Sequence, residues 1–149
     1  MGQIGSRIDR HEIIGLDTSI WIYHLEANSR YLPLTKEILE GIQKGNWQGV
    51  VSTLTLMELT VPAWRQDQGM VARQYEALLI NFPNLRVIDV DRRVARNAAQ
   101  LRARFGVRPV DALLVATCLS CGATAFITND RSLKQLEQAL DVLILDDYI

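Results

Sequence analysis

Four acidic residues stand at positions where chemistry could use them: Asp17 in "GLDTS", Glu58 in "TLTLMEL", Asp111 in "RPVDA" and Asp130 in "ITNDRS". Each also has an ordinary structural use. Asp17, or Ser19 behind it, suits the N-cap of a helix. Glu58 lies three residues after Thr55, the spacing of a capping box. Asp111 follows Pro109 by two residues, where a carboxylate favours the positive end of a helix dipole. Asp130 suits a turn or a cap. Taken singly, each structural use is the stronger reading; taken together, the four acids ask for a common explanation. Clustered carboxylates repel one another unless some stay protonated. A hard divalent cation such as Mg2+ or Mn2+ removes that conflict through oxygen ligands and bound waters. It also lowers the pKa of a water, orients it and neutralises charge on phosphoryl oxygens, which is the chemistry of phosphodiester hydrolysis.

The elements that must position these acids follow from the apolar pattern. Short runs at Ile13–Leu16, Gly49–Ser52, Arg86–Val90, Ala123–Ile127 and Val142–Leu145 read as strands. Helical spacing covers Thr18–Ala27, Leu34–Ile42, Thr55–Gln66, Met70–Ile80, Asp91–Phe105, Pro109–Cys121 and Leu133–Leu140, with a kink or break expected at Pro62. Strands alternating with helices imply a three-layer α/β/α sandwich around a central, mostly parallel sheet of about five strands. In such a sheet the carboxyl ends of the strands share one edge. Asp17 and Asp130 directly follow strands, Asp111 opens the helix feeding the fourth strand, and Glu58 is less than two helical turns past the second. All four should approach that edge.

Composition bounds the rest. With 149 residues, 48% apolar and 22% charged, the chain is of a size for one domain with its own core. Residues 1–10 read as a flexible N-terminal arm and residues 11–149 as the single domain. A net charge of −1 leaves bulk charge unable to hold a polyanion, so any such binding needs a local patch or a bound cation. Cys118 and Cys121 have no second pair for a zinc site and close a helix rather than open one, which favours a structural role and suits a reducing cytoplasm. Met1–Arg10 has no apolar h-region of a signal peptide. Ala112–Asn129 is uncharged for 18 residues, but its Gly, Ser and Thr interruptions read as a buried helix, turn and strand rather than a membrane span.

The segments "IIGLDTSIWIYHLE", "VVSTLTLMEL", "VRPVDALLVATCLSCGATAFITNDRSL" and "VLILD" together resemble a PIN domain, from about Ile13 to Leu145. The small single-domain size looks most like the VapC-type toxin ribonucleases of prokaryotic toxin–antitoxin pairs. The resemblance implies an endoribonuclease dependent on Mg2+ or Mn2+, with Asp17 and Asp111 as principal ligands. Asp130 would complete the site, and Glu58 would ligate through water or position the attacking water. Thr18, Ser52, Thr128 and Asn129 match supporting polar positions. Ser132 stands where relatives often carry another Asp, which bears on a second, weaker metal site. The resemblance also implies a homodimer and a cognate antitoxin that lays a peptide across the active-site groove.

Six arginines fall between Arg92 and Arg108. Arg92, Arg93, Arg96 and Arg104 project opposite an apolar face, as a solvated helix surface or as a phosphate-tracking one. Arg108 and Arg131 lie beside the acids and are candidates for holding RNA. Trp21 and Trp64 are expected to pack on their helices, and Tyr23, Leu25, Trp64 and Tyr75 offer surface for a dimer or an antitoxin. Three other readings stay open: an RNA-processing PIN nuclease without toxicity, a degenerate PIN fold that only binds, and a haloacid-dehalogenase-like phosphatase. The last needs an acid where Ser19 stands.

Overall fold

A computed structural model describes residues 2–149. Five strands, β1 (Ile13–Leu16), β2 (Gln48–Ser52), β3 (Leu85–Ile88), β4 (Ala125–Thr128) and β5 (Asp141–Ile144), form one sheet in the order β3-β2-β1-β4-β5, parallel throughout. The helices are α1 (Gln3–Ile8), α2 (Thr18–Leu25), α3 (Leu32–Lys44), α4 (Thr53–Arg65), α5 (Gly69–Ile80), α6 (Arg92–Phe105) and α7 (Pro109–Ser120). The helix expected over Leu133–Leu140 is instead a 3₁₀ helix over Arg131–Gln138, and a second 3₁₀ turn spans Leu145–Tyr148.

Strand alternation divides the core into two layers. Ile14, Leu16, Val51 and Ile127 face one side, packing with Ile20, Trp21, Ile38, Ile42 and Leu79. Val50, Phe126, Val142 and Ile144 face the other, against α6, α7 and the 3₁₀ helix at Leu133 and Leu136. The sheet is thus covered on both faces, and the uncharged stretch from Ala112 is all but the first turn of α7, a short turn and β4. Among the described residues no helix is long and apolar enough to cross a membrane.

Three local expectations are corrected. Residues 2–10 of the expected arm are not loose, because Gln3–Ile8 is a helix whose Ile4 and Ile8 are wholly buried, while Met1 lies outside the described residues. Arg7 and His11 both reach Asp141 at the start of β5, Arg7 Nη2 at 3.0 Å and His11 Nε2 at 3.0 Å, and so pin the segment down. Pro62 sits inside α4 without breaking it. The Thr55–Glu58 capping box does not form, because α4 starts earlier: the Ser52 hydroxyl accepts the Leu54 N–H at 3.1 Å and caps the helix itself.

Candidate active site

The connections leave β1 in opposite directions across the sheet. The chain runs outward through β2 and β3, then returns to build β4 and β5 on the other side of β1. In an open parallel sheet such a reversal places the expected ligand crevice at the carboxyl ends of the strands on either side of it, here β1 and β4. Asp17 follows β1 immediately and Thr128 ends β4, so the crevice is flanked by both.

Asp17 is held through both oxygens. Its Oδ1 accepts the Thr18 N–H at 2.8 Å, capping α2, and its Oδ2 accepts the Thr128 hydroxyl at 2.6 Å. The Thr128 oxygen in turn accepts the Asp130 N–H at 3.0 Å. One threonine therefore couples the loop carrying the fourth acid to the first acid. Thr18, itself buried, donates its hydroxyl to Glu58 Oε1 at 2.7 Å and lies 3.1 Å from the Thr55 hydroxyl, which draws α4 toward the end of β1. Glu58 Oε2 takes no hydrogen bond from the other described residues. Gly15 brings α7 close on the other face, since a Cβ there would lie 2.5 Å from Cys118 Sγ.

Burial pushes the Asp17 carboxyl up to about 6; the hydrogen bonds from Thr128 and Thr18 oppose this, and the charges of Asp111 and Glu58 add to it. Glu58 of α4 and Asp111 of α7 are thus each within electrostatic reach of Asp17 at the end of β1. Asp130 behaves differently. The Ser132 hydroxyl and N–H, donating to Oδ1 at 2.7 and 3.0 Å, together with Arg108 hold it below the usual carboxylate value despite partial burial.

Such an incompletely neutralised, oxygen-only set fits a hard divalent cation that keeps part of its water shell. Among the described residues no three carboxylate, imidazole or thiol side chains stand together closely enough to hold a metal ion as they are placed. The side chains are engaged elsewhere: Glu58 with Thr18, and Asp111 and Asp130 both with Arg108.

The supporting residues divide by what they touch. Thr18 and Thr128 contact the acids directly. Ser52 only caps α4, and Asn129 ties the end of β4 to neighbouring elements, its Oδ1 accepting the Asp146 N–H at 3.0 Å. Arg131 pairs with Asp147 at 2.7 Å rather than with a site acid. Arg92, Arg93 and Arg96 line an open recess of about 490 Å³ at the start of α6, beyond β3. Trp21 is buried with its edge against Phe82, Trp47 is buried with its Nε1 donating to the Ile38 carbonyl, but Trp64, expected to be packed, is 53% exposed. Among the described residues Cys118 is buried and in no disulfide, with its thiol pushed far up by that burial.

Sequence reasoning passed over Thr55, assigned to a cap, and Ser132, noted only as a missing Asp. It also passed over Asp146 and Asp147. They lie just past β5, with only Leu145 between, so the strand-end rule that found Asp17 would have found them too. They bind Tyr31, at 2.8 Å, and Arg131.

The family model for the PIN domain matches residues 14–139. The chain belongs to the PIN domain family. PIN domains are nucleases, and the matched span contains all four acids. Among solved structures, the chain is similar to a toxin–antitoxin complex from Klebsiella pneumoniae (22% identity, TM-score 0.65, covering 89% of this chain and 97% of that one). It is also similar to FitAcB from Neisseria gonorrhoeae (22%, TM-score 0.64, 89% and 97%) and to DNA-bound VapBC from Salmonella typhimurium (21%, TM-score 0.65, 89% and 97%). At these identities the likeness carries the PIN fold. No curated protein matches the chain.

Proposed function

We propose that this PIN domain is a Mg2+- or Mn2+-dependent endoribonuclease acting in the cytoplasm as the toxin of a toxin–antitoxin pair. The observation that carries the reading is the gathering of Asp17, Glu58 and Asp111 from three elements, with Asp130 joined through Thr128, at the crevice where strand order reverses. Asp17 and Asp111 would hold the ion, with Asp130 completing the set. When bound, the ion supplies Lewis acidity at the phosphoryl oxygens and an acidified water. The chain's own part is positional. Thr18 and Thr128 fix the Asp17 oxygens, and Thr18 holds one oxygen of Glu58 so that the other can orient the attacking water and take its proton. In-line attack on phosphorus then expels the 3′-oxygen and leaves a 5′-phosphate.

An antitoxin partner is supported by the similar structures, one of which is itself a toxin–antitoxin complex. An apolar groove of about 240 Å³ runs from Glu58 between Ile22, Leu25, Leu59, Val71 and Tyr75, and an apolar antitoxin segment seated there would cover the site. Exposed Trp64, Met70 and Ile80 offer apolar surface for a homodimer.

The test is cleavage of single-stranded and structured RNA with Mg2+, Mn2+ or EDTA, by wild type and Asp17→Asn. Metal-dependent cleavage by wild type alone is expected. Activity surviving both EDTA and the substitution would sink the reading. Growth arrest on expression of wild type, relieved in Asp17→Asn, separates a toxin from an RNA-processing enzyme.

A further inference from the structure

Part of the positive charge the acidic edge needs is already supplied by the chain. Arg108 precedes Pro109 and has the extended backbone that position requires, φ −63° and ψ 153°. Its side chain joins two acids from different elements. Nε donates to Asp111 Oδ2 at 3.1 Å, and a terminal nitrogen donates to Asp130 Oδ2 at 2.9 Å. The Arg108 side chain is 76% exposed, whereas the Asp111 side chain is only 15% exposed. An outer, solvent-facing cation therefore pairs with an inner carboxylate and links it to the loop after β4.

We propose that Arg108 is a resident counter-cation of this site, competing with the divalent ion for the carboxylates of Asp111 and Asp130. The inference rests on the reading of those acids as metal ligands. An ion on the same carboxylates repels the guanidinium and shares its acceptor oxygens, so each weakens the other, and the coupling is reciprocal. An exposed ion pair is weak, which makes Arg108 a modulator of metal loading rather than a block. Whatever draws the guanidinium away favours the metal. A phosphate backbone does so by chemistry, since Arg is suited to phosphate oxygens. In the protein without RNA, Asp111 and Asp130 share the one guanidinium, and the ion is bound less tightly than the bare carboxylates would bind it.

Mn2+ affinity, measured by calorimetry on the full chain, tests this with four proteins: wild type, Arg108→Gln, Arg131→Gln and Asp17→Asn. Arg131→Gln removes the same charge, but from a residue paired with Asp147. Arg108→Gln is expected to bind Mn2+ roughly three- to fivefold more tightly, and Arg131→Gln to change affinity by less than about twofold. On Mg2+ titration of wild type, the Arg108 Nε–H resonance should lose its protection from exchange. Equal tightening in both arginine variants would assign the effect to net charge and overturn the proposal. Unchanged or weaker binding in Arg108→Gln, with Asp17→Asn still weakened, overturns it while leaving the metal site standing. No Mn2+ binding by any of the four proteins removes both.

Discussion

Asp17 shows how one residue can serve structure and chemistry together. Its Oδ1 caps α2 while its Oδ2 takes the Thr128 hydroxyl, so the cap fixes the carboxylate at the crevice. From the sequence alone the two uses compete, because the residue that joins them lies 111 positions away. Burial sets the cost. An unfolded aspartate ionises near 3.8 and this one near 6, so the folded chain holds an extra proton between those values. The stability tied to this carboxyl is fully present below about pH 4 and is lost as pH rises through about 6. Asp17→Asn should therefore stabilise the metal-free protein at pH 8 by about 1–3 kcal/mol. The gain should close toward pH 4, as read by urea denaturation across that range. The same variant should lose roughly a hundredfold or more in RNA cleavage, a stability gain at the expense of function that marks an active-site residue. Glu58 teaches the opposite lesson about legibility. Ser52, Thr53 and Thr55 are all competent caps, and the choice among them is made by where β2 ends, which the local sequence does not state.

At the scale of elements, periodicity found every strand and helix that buries a full face, because a stripe must repeat over several turns to be recognised. Helix α1 escaped it. Six residues with two isoleucines four apart carry too little pattern, and the core that buries Ile4 and Ile8 is assembled from distant segments. Truncating a fully buried isoleucine to alanine typically costs about 2–5 kcal/mol. Ile8→Ala should fall in that range by urea denaturation with an unchanged m-value; a loss below about 0.5 kcal/mol would mean that α1 is not part of the core. Gly15 is a second element-scale constraint, because it sets how closely β1 approaches α7 and hence how Asp17 stands to Asp111. A methyl group there would lie 2.5 Å from Cys118 Sγ and 2.7 Å from its Cβ. Gly15→Ala should cost about 1–3 kcal/mol. Cys118→Ala in the same chain should recover only part of that loss, because the Cβ contact remains; full recovery, or none, would mean that the sulfur contact had been misjudged.

Across the whole molecule, a net charge of −1 coexists with a basic surface, because the charges are segregated. The acids gather where β1 and β4 end, and the exposed Arg92, Arg93 and Arg96 open α6 beyond β3, toward the same edge of the sheet. The sequence showed that these side chains share the polar side of α6, but not whether that side serves only solvent. The helix has no role for them in its packing, since Val94, Ala98 and Leu101 make the buried contacts. An RNA strand entering the crevice would need counter-charge beyond the metal site, and this patch offers it without crowding the carboxylates. Neutralising three phosphate contacts should lower the slope of log affinity against log salt by roughly two to three. The triple variant Arg92→Gln, Arg93→Gln, Arg96→Gln should accordingly bind single-stranded RNA more weakly at low salt, with that shallower slope, by fluorescence anisotropy. Its melting temperature and Mn2+ affinity should stay those of wild type, because these arginines touch neither the core nor the acids. An unchanged salt slope would leave the patch as a solvated helix face and direct the search for the RNA path to Arg108 and its neighbours.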